Sequence, residues 1–165
     1  TGASESVYDD LDWIVELEIA IKQAIEVEKP ILGICFGHQL LVQGMGGKVE
    51  RNSKGWELGS YQMVEMVDHH LFNNINTNDY FYNSHRDIVT DLPNGCIPLA
   101  YNKMGNQAFR YGERIYGVQF HPEFTHSIMK KYVEVRQSMG ANVIDPTVPK
   151  SKSSHLIINN FLNIV

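Results

Sequence analysis

Apolar and polar positions alternate along the chain in two different periods. From Asp9-Asp10 to about Glu28, apolar residues fall at Trp13, Ile14, Leu17, Ala20, Ile21, Ala24 and Ile25. That spacing predicts a helix with one buried face, capped by Asp9 or Asp10. Pro30 ends it. Ile31-Leu32-Gly33-Ile34 then reads as a short buried strand, and Gln39-Leu40-Leu41-Val42 as part of a helix that stops at Gly44-Met45-Gly46-Gly47. Further strands are expected at Lys48–Glu50, from Leu58 to Val67, and at Tyr80–Tyr82 running into a loop at Ser84-His85. Asp68-His69-His70-Leu71-Phe72 reads as a polar connection. Ile97–Tyr101 and Ala108–Tyr111 read as a strand pair joined by Met104-Gly105-Asn106, and Ile115–Phe120 as another strand. A helix is expected from Thr125 to about Ser138. A loop follows over Asn142–Ser154, and a last helix capped by Ser154.

Strands alternating with helices predict a three-layer α/β sandwich with a mostly parallel central sheet and an antiparallel portion in the middle. The 165 residues are 43% hydrophobic and 20% charged, which suits one domain over 1–165 with a real core. There are no repeats and no composition shift. The net charge of −5 has no basic run within it, which argues against nucleic acid as a partner. Apolar stretches fall far short of the roughly 20 residues of a membrane span. The low use of cysteine, two in the chain, fits a cytoplasmic setting.

Those two cysteines have different surroundings. Cys96 follows Pro93-Asn94-Gly95 and reads as a small buried residue. Cys35 stands between Gly33 and Gly37, where the buried strand turns into a helix. Two residues without Cβ permit a tight turn there and a close start of the helix. The pattern is that of a nucleophile elbow with Cys in place of Ser. A helix N-terminus would aim its free N–H groups at Cys35 and favour the thiolate, and the Phe36 N–H would face a developing oxyanion. Taken alone, a cysteine in an apolar run is also what plain core packing gives. Gly117-Val118-Gln119-Phe120-His121-Pro122-Glu123 changes the balance. It places a base, His121, and a carboxylate to orient it, Glu123, just past the end of another strand. His-x-Glu also occurs in zinc deaminases, but the Pro-Cys-x-x-Cys that accompanies it there is missing. His69-His70 beside Asp68 has no matching ligand set either, so no metal is expected.

Gly-Ile-Cys-Phe-Gly-His-Gln at 33–39 and Gly-Val-Gln-Phe-His-Pro-Glu at 117–123 resemble the two signatures of class I, triad-type, glutamine amidotransferases. Asn83-Ser84-His85-Arg86-Asp87 resembles that family's substrate-loop motif, and Thr1 to Asp9 its glycine-rich oxyanion loop. Thr125-His126 resembles a pair found in the glutaminase domain of GMP synthases, and Trp56-Glu57-Leu58-Gly59 a stretch of stand-alone relatives. The resemblance covers essentially the whole chain. It implies a flavodoxin-like fold with strands before Thr1, so the sheet is expected to lack its N-terminal part. It implies Cys35 as nucleophile, His121 as base and Glu123 as its orienter. The second oxyanion donor would be a backbone N–H of Gly2 or Ala3, where many relatives read Gly-Gly-Pro. Gln39, Ser84, His85, Arg86 and Asp87 would hold the substrate. The implied reaction is hydrolysis of the glutamine side-chain amide, or of a γ-glutamyl amide, through a γ-glutamyl thioester and without a cofactor. Alternatives are a glutaminase subunit that supplies ammonia to a synthetase partner, and a non-catalytic scaffold that kept the fold.

Overall fold

The computed structural model describes residues 1–141 and 148–165. Its elements, in chain order, are α1 (Asp12–Glu26), β1 (Ile31–Ile34), α2 (Phe36–Gly44), β2 (Lys48–Arg51), β3 (Glu57–Gln62), β4 (Glu65–Met66), β5 (Tyr80–His85), β6 (Asp87–Asp91), β7 (Cys96–Asn102), β8 (Gly105–Tyr111), β9 (Ile115–Val118), α3 (His126–Ser138) and α4 (Leu156–Ile164). The α/β class expected from the pattern is what the protein has. The central sheet is mixed, in the order β1-β9-β8-β7-β4. β1 and β9 run parallel, and the other neighbours in it run antiparallel. Two antiparallel pairs, β2 with β6 and β3 with β5, lie outside it.

Alternation along β8 and β9 sends side chains to two cores, one on each face of the sheet. Phe109 and Ile115 join Ile14 of α1 and Leu40, Leu41 and Val42 of α2. Ala108, Tyr116 and Val118 join Phe81, Phe120 and the α4 residues Ile157 and Phe161. α3 packs Met129 and Val133 on Leu58 and Tyr82 of the β3–β5 pair. No helix among the described residues is long and apolar enough to cross a membrane.

Several local expectations need correction. α1 is capped at Leu11, with no side-chain cap, because the Asp9 carboxylate is engaged in a preceding turn where it accepts the Ser6 N–H at 2.8 Å. Its buried stripe is narrower than the spacing suggested: Ile14 is buried and Ile21 and Ile25 partly so, while Trp13, Leu17 and Ala20 stay exposed. α1 ends at Glu26, where Glu28 adopts φ 52° and the Lys29 N–H reaches back to Ala24 O at 2.9 Å. That is a Schellman-type stop ahead of Pro30.

The stretch from Leu58 to Val67 is not one strand. It leaves β5 after Gln62 and crosses to the central sheet, where the Val64 N–H bonds Tyr101 O at 2.8 Å. The stretch around Ser84-His85 is not a loop: β5 continues through His85, Arg86 forms a corner, and β6 starts at Asp87. α4 is capped at His155 rather than Ser154, whose hydroxyl instead accepts a bond from Ser151 Oγ at 2.6 Å. Of the loop expected over Asn142–Ser154, residues 142–147 lie outside the described residues.

Asp79 fastens the later part of that loop. Its carboxylate accepts the N–H groups of Lys152 (3.0 Å) and Ser153 (2.6 Å), the Ser153 hydroxyl (2.6 Å) and the N–H of Tyr80 (2.8 Å). Burial opposes the charge, but these donors outweigh it and hold the Asp79 carboxyl below its ordinary value. A depressed carboxyl stabilises the fold above its unfolded pKa, and the contribution is lost as pH falls through the folded one. Asp79→Ala is therefore expected to destabilise the protein by about 2–3 kcal/mol at neutral pH, measured by denaturant unfolding, and by less in acid.

Candidate active site

Cys35 is the turning point of the chain. Its N–H extends the β1–β9 ladder to Val118 O at 2.9 Å, and the next residue, Phe36, opens α2. The backbone folds over at φ 53°, ψ −103°, a strained conformation for a residue with a Cβ. Such a turn holds the side chain out past the strand end at the N-terminus of the helix. Gly33 makes it possible. A Cβ there would lie 2.5 Å from the Gly37 carbonyl oxygen and 2.6 Å from a Leu41 methyl, so strand and helix could not approach this closely. Gly37 faces open space by comparison, with only the Thr1 nitrogen, at 3.7 Å, near its would-be Cβ.

β9 delivers the second half. It lies beside β1 in parallel register, Ile34 opposite Val118, so the residues after both strands meet at one end of the sheet. The His121 N–H is fixed to Tyr82 O at 2.7 Å. The His121 ring bonds Glu123 Oε1 through Nδ1 at 2.8 Å, which leaves Nε2 for the Cys35 side chain. Burial works against a charged His121. The hydrogen bonds to Cys35 and Glu123 and the attraction of their charges outweigh it, and the pKa rises to about 9. Phe124 stacks flat on the ring, with centroids 4.1 Å apart and planes 14° apart. The stack fixes the ring's tilt and presents a π-face to the imidazolium.

The Thr1–Ser4 stretch lies over this pair. A Cβ on Gly2 would sit 3.1 Å from His121 Cε1 and 3.9 Å from the Cys35 sulfur. Gly2 thus lies close to both the His121 ring and the Cys35 sulfur, while the Thr1 nitrogen lies beside the first turn of α2. Two cavities meet at Cys35. One, of about 120 Å³, is bordered by Ser4, Gln39, Ser84, His85, Arg86 and Asp87. The other, of about 380 Å³, is bordered by Gly2, His121, Glu123, Phe124 and Tyr132.

Every site residue expected from the sequence therefore lies around one centre, but the proposed substrate residues differ in how they face it. Gln39 is buried, and its Nε2 donates to Asp87 O (2.8 Å) and Gln119 Oε1 (3.0 Å). The Asp87 carboxylate accepts the Ser6 hydroxyl, with Arg51 Nε 4.0 Å from its other oxygen. His85 turns its ring inward, toward Glu57 and Asp87 O. Arg86 is exposed at the rim of the smaller cavity.

Trp56, from the stretch that resembles stand-alone relatives, borders the smaller cavity. The sequence did not single out Arg51, which borders the smaller cavity, Tyr132, which borders the larger, or Arg136, which borders both. Arg136 lies 4.7 Å above the Trp56 ring. Tyr132 and Arg136 come from α3, and nothing in their local sequence marks them. Thr125 proves to be the N-cap of α3, accepting the Ile128 N–H at 3.3 Å. Cys96 is a free thiol distinct from the site, pushed up to about 11 by burial.

Known proteins resemble the chain in sequence and in fold. The family model for glutamine amidotransferase class-I matches residues 7–137. The chain is 34% identical to a γ-glutamyl peptidase 4 from Arabidopsis thaliana over 135 residues, covering 78% of the chain and 54% of the relative. It is 35% identical over 119 residues to a subunit of a glutamine-hydrolyzing GMP synthase from Methanococcus vannielii, covering 68% of the chain and 62% of the relative. The chain thus spans about half the length of the γ-glutamyl peptidases it matches, and less of the longer GMP synthases. Among solved structures, a glutamine amidotransferase from Thermotoga maritima superposes with a TM-score of 0.81 at 26% identity, covering 98% of this chain and 74% of that one. On its motifs, its fold and the extent of the family match, the chain belongs to the class I glutamine amidotransferases.

Proposed function

We propose that the protein hydrolyses a γ-glutamyl amide, glutamine itself or a γ-glutamyl compound, through Cys35, His121 and Glu123. The observation that carries this reading is the Cys35 elbow facing a His121 ring held by Glu123. In this mechanism the Cys35 sulfur attacks the side-chain carbonyl. The N–H of Phe36 and an N–H of Gly2 or Ala3 receive the oxyanion. His121 takes the proton of the Cys35 thiol as the sulfur attacks, a charge favoured by its contacts with Cys35 and Glu123, and gives that proton to the leaving nitrogen. The C–N bond breaks and a γ-glutamyl thioester remains on Cys35. Water, deprotonated by His121, then adds to the thioester carbonyl; the C–S bond breaks, glutamate leaves, and the proton passes from His121 back to the Cys35 sulfur. Gln39, Ser84, His85, Arg86 and Asp87 border the cavity for the glutamyl part. The larger cavity beside His121 takes the leaving group.

A second reading makes the protein the ammonia-supplying component of a synthetase, favoured by the likeness to a separate GMP synthase subunit. Ammonia and amine release from glutamine and from γ-glutamyl peptides, assayed on the full-length protein alone and with candidate synthetases, separates the two. Release from γ-glutamyl peptides without a partner supports the hydrolase. Release from glutamine only when a synthetase is present supports the second reading.

The pH dependence has a definite sign. The folded pKa of His121 lies at about 9, above the ordinary 6.5. The stability it contributes is fully present below 6.5 and is lost as pH rises through about 9. The acid for the leaving nitrogen disappears over the same upper range. The kcat/KM–pH profile, which reports the free enzyme, is therefore expected to fall on an alkaline limb near 9. Glu123→Gln removes one cause of the elevation and should move that limb to lower pH. A limb that stays in place in this variant would disconnect Glu123 from the ring.

A further inference from the structure

Outside the Cys35, His121 and Glu123 set, the most deeply buried acid–base pair among the described residues is Glu57 with His85. Glu57, on β3, is fully buried, and His85, at the end of β5, is nearly so. His85 Nε2 lies 3.1 Å from Glu57 Oε2. Its other ring nitrogen, Nδ1, lies 2.9 Å from Asp87 O. Both groups facing the ring are acceptors: Nδ1 is hydrogen-bonded to the Asp87 carbonyl, while Nε2 meets the Glu57 carboxylate in a close contact out of hydrogen-bond alignment. Glu57 is held from behind by the central sheet: Asn102 Nδ2 donates to Oε1, and Gln107 Nε2 to Oε2 at 3.2 Å. A carboxylate surrounded by donors in this way is a fixed anchor rather than a mobile group.

The same Asp87 carbonyl that meets His85 also accepts Gln39 Nε2 at 2.8 Å, and Gln39 bonds Gln119 at 3.0 Å. Gln39 stands four residues after the nucleophile, and Gln119 two before the base. One buried polar chain thus runs from β7 and β8 through Glu57, His85 and Asp87 to α2 and β9. It passes directly behind the Ser84–Asp87 corner that borders the smaller cavity.

We infer that Glu57 is a positioning residue: acting through His85, it sets the Ser84–Asp87 corner against the elbow and so fixes the subsite for the glutamyl part of the substrate. This rests on the functional reading proposed above. It assigns Glu57 no contact with the reacting atoms.

The test compares two electrophiles on the full-length protein. Iodoacetamide needs only an accessible, reactive Cys35. A diazo-ketone analogue of glutamine needs the glutamyl subsite as well. Glu57→Gln is expected to slow labelling of Cys35 by the analogue about tenfold while iodoacetamide labels at the unchanged rate, and to raise KM for the γ-glutamyl substrate with little change in kcat. Asn102→Ala, on the side of Glu57 away from the cavity, keeps the test open if Glu57→Gln does not fold. It should show the same selectivity at about threefold. Equal slowing of both reagents, or no slowing of either, would overturn the role of Glu57. Labelling of the unsubstituted protein by iodoacetamide but never by the analogue is a different failure: it removes the glutamyl reading itself, and the subsite with it.

Discussion

Cys35→Ala is expected to lower kcat for γ-glutamyl amide hydrolysis by about 10⁴-fold or more, to the limit of detection. The size follows from the arrangement. Among the described residues no other thiol borders the cavities beside His121 and Glu123, since Cys96 stands apart from both. Without the sulfur no thioester can form, and the oxyanion donors alone can act only on direct attack by water. The fold should survive, because alanine removes one sulfur atom from a side chain already at the cavity wall. Unfolding midpoints of the variant and parent should therefore agree closely. Cys96→Ala is the control: that thiol is pushed up to about 11 by burial, and its loss should leave kcat unchanged. A Cys35→Ala protein with full activity would end the covalent mechanism and favour a binding scaffold or another catalytic centre.

The second large effect concerns stability. Gly33→Ala is expected to destabilise the protein by about 2–4 kcal/mol in denaturant unfolding, and to lower activity in whatever fraction still folds. The added methyl group would meet the Gly37 carbonyl at 2.5 Å and Leu41 at 2.6 Å. The carbonyl is main chain in the first turn of α2, and Leu41 is fully buried, so neither can step aside. α2 would have to move away from β1, carrying the Phe36 N–H with it. Gly37→Ala is the contrasting case. Its Cβ would lie 3.7 Å from the nearest atom, and alanine is the better helix former, so the change should be neutral or slightly stabilising.

That contrast shows what can be read from a sequence. Gly33 and Gly37 look equivalent on either side of Cys35, yet only Gly33 is forced by close approach, a distance set by the packing of α2 on β1. The elbow, the base and its carboxylate were legible because each follows a short apolar strand. Parallel pairing of β1 with β9 then brings the residues after those strands together.

Orientation was less legible. Gln39 reads as a substrate contact, but its side-chain NH₂ is bonded to Asp87 O and Gln119, which are distant in sequence. His85 faces inward because β5 continues through it, and the strand's alternation decides which way its ring points. Tyr132 and Arg136 reach the site only because α3 folds back onto β3, a tertiary fact with no local signature. The break after Gln62 was hidden because an apolar pattern runs on through Met63 and Val64 while the chain changes sheets.

The central claim is that Cys35 is the nucleophile toward a γ-glutamyl carbonyl. The most direct measurement is incubation of the full-length protein with the diazo-ketone analogue of glutamine, followed by peptide mass spectrometry to locate the adduct. A single adduct on Cys35, suppressed when glutamine or a γ-glutamyl peptide is present in excess, is the expected result. A protein that hydrolyses γ-glutamyl amides yet carries its adduct on another residue, or is labelled at Cys35 without protection by substrate, would contradict it.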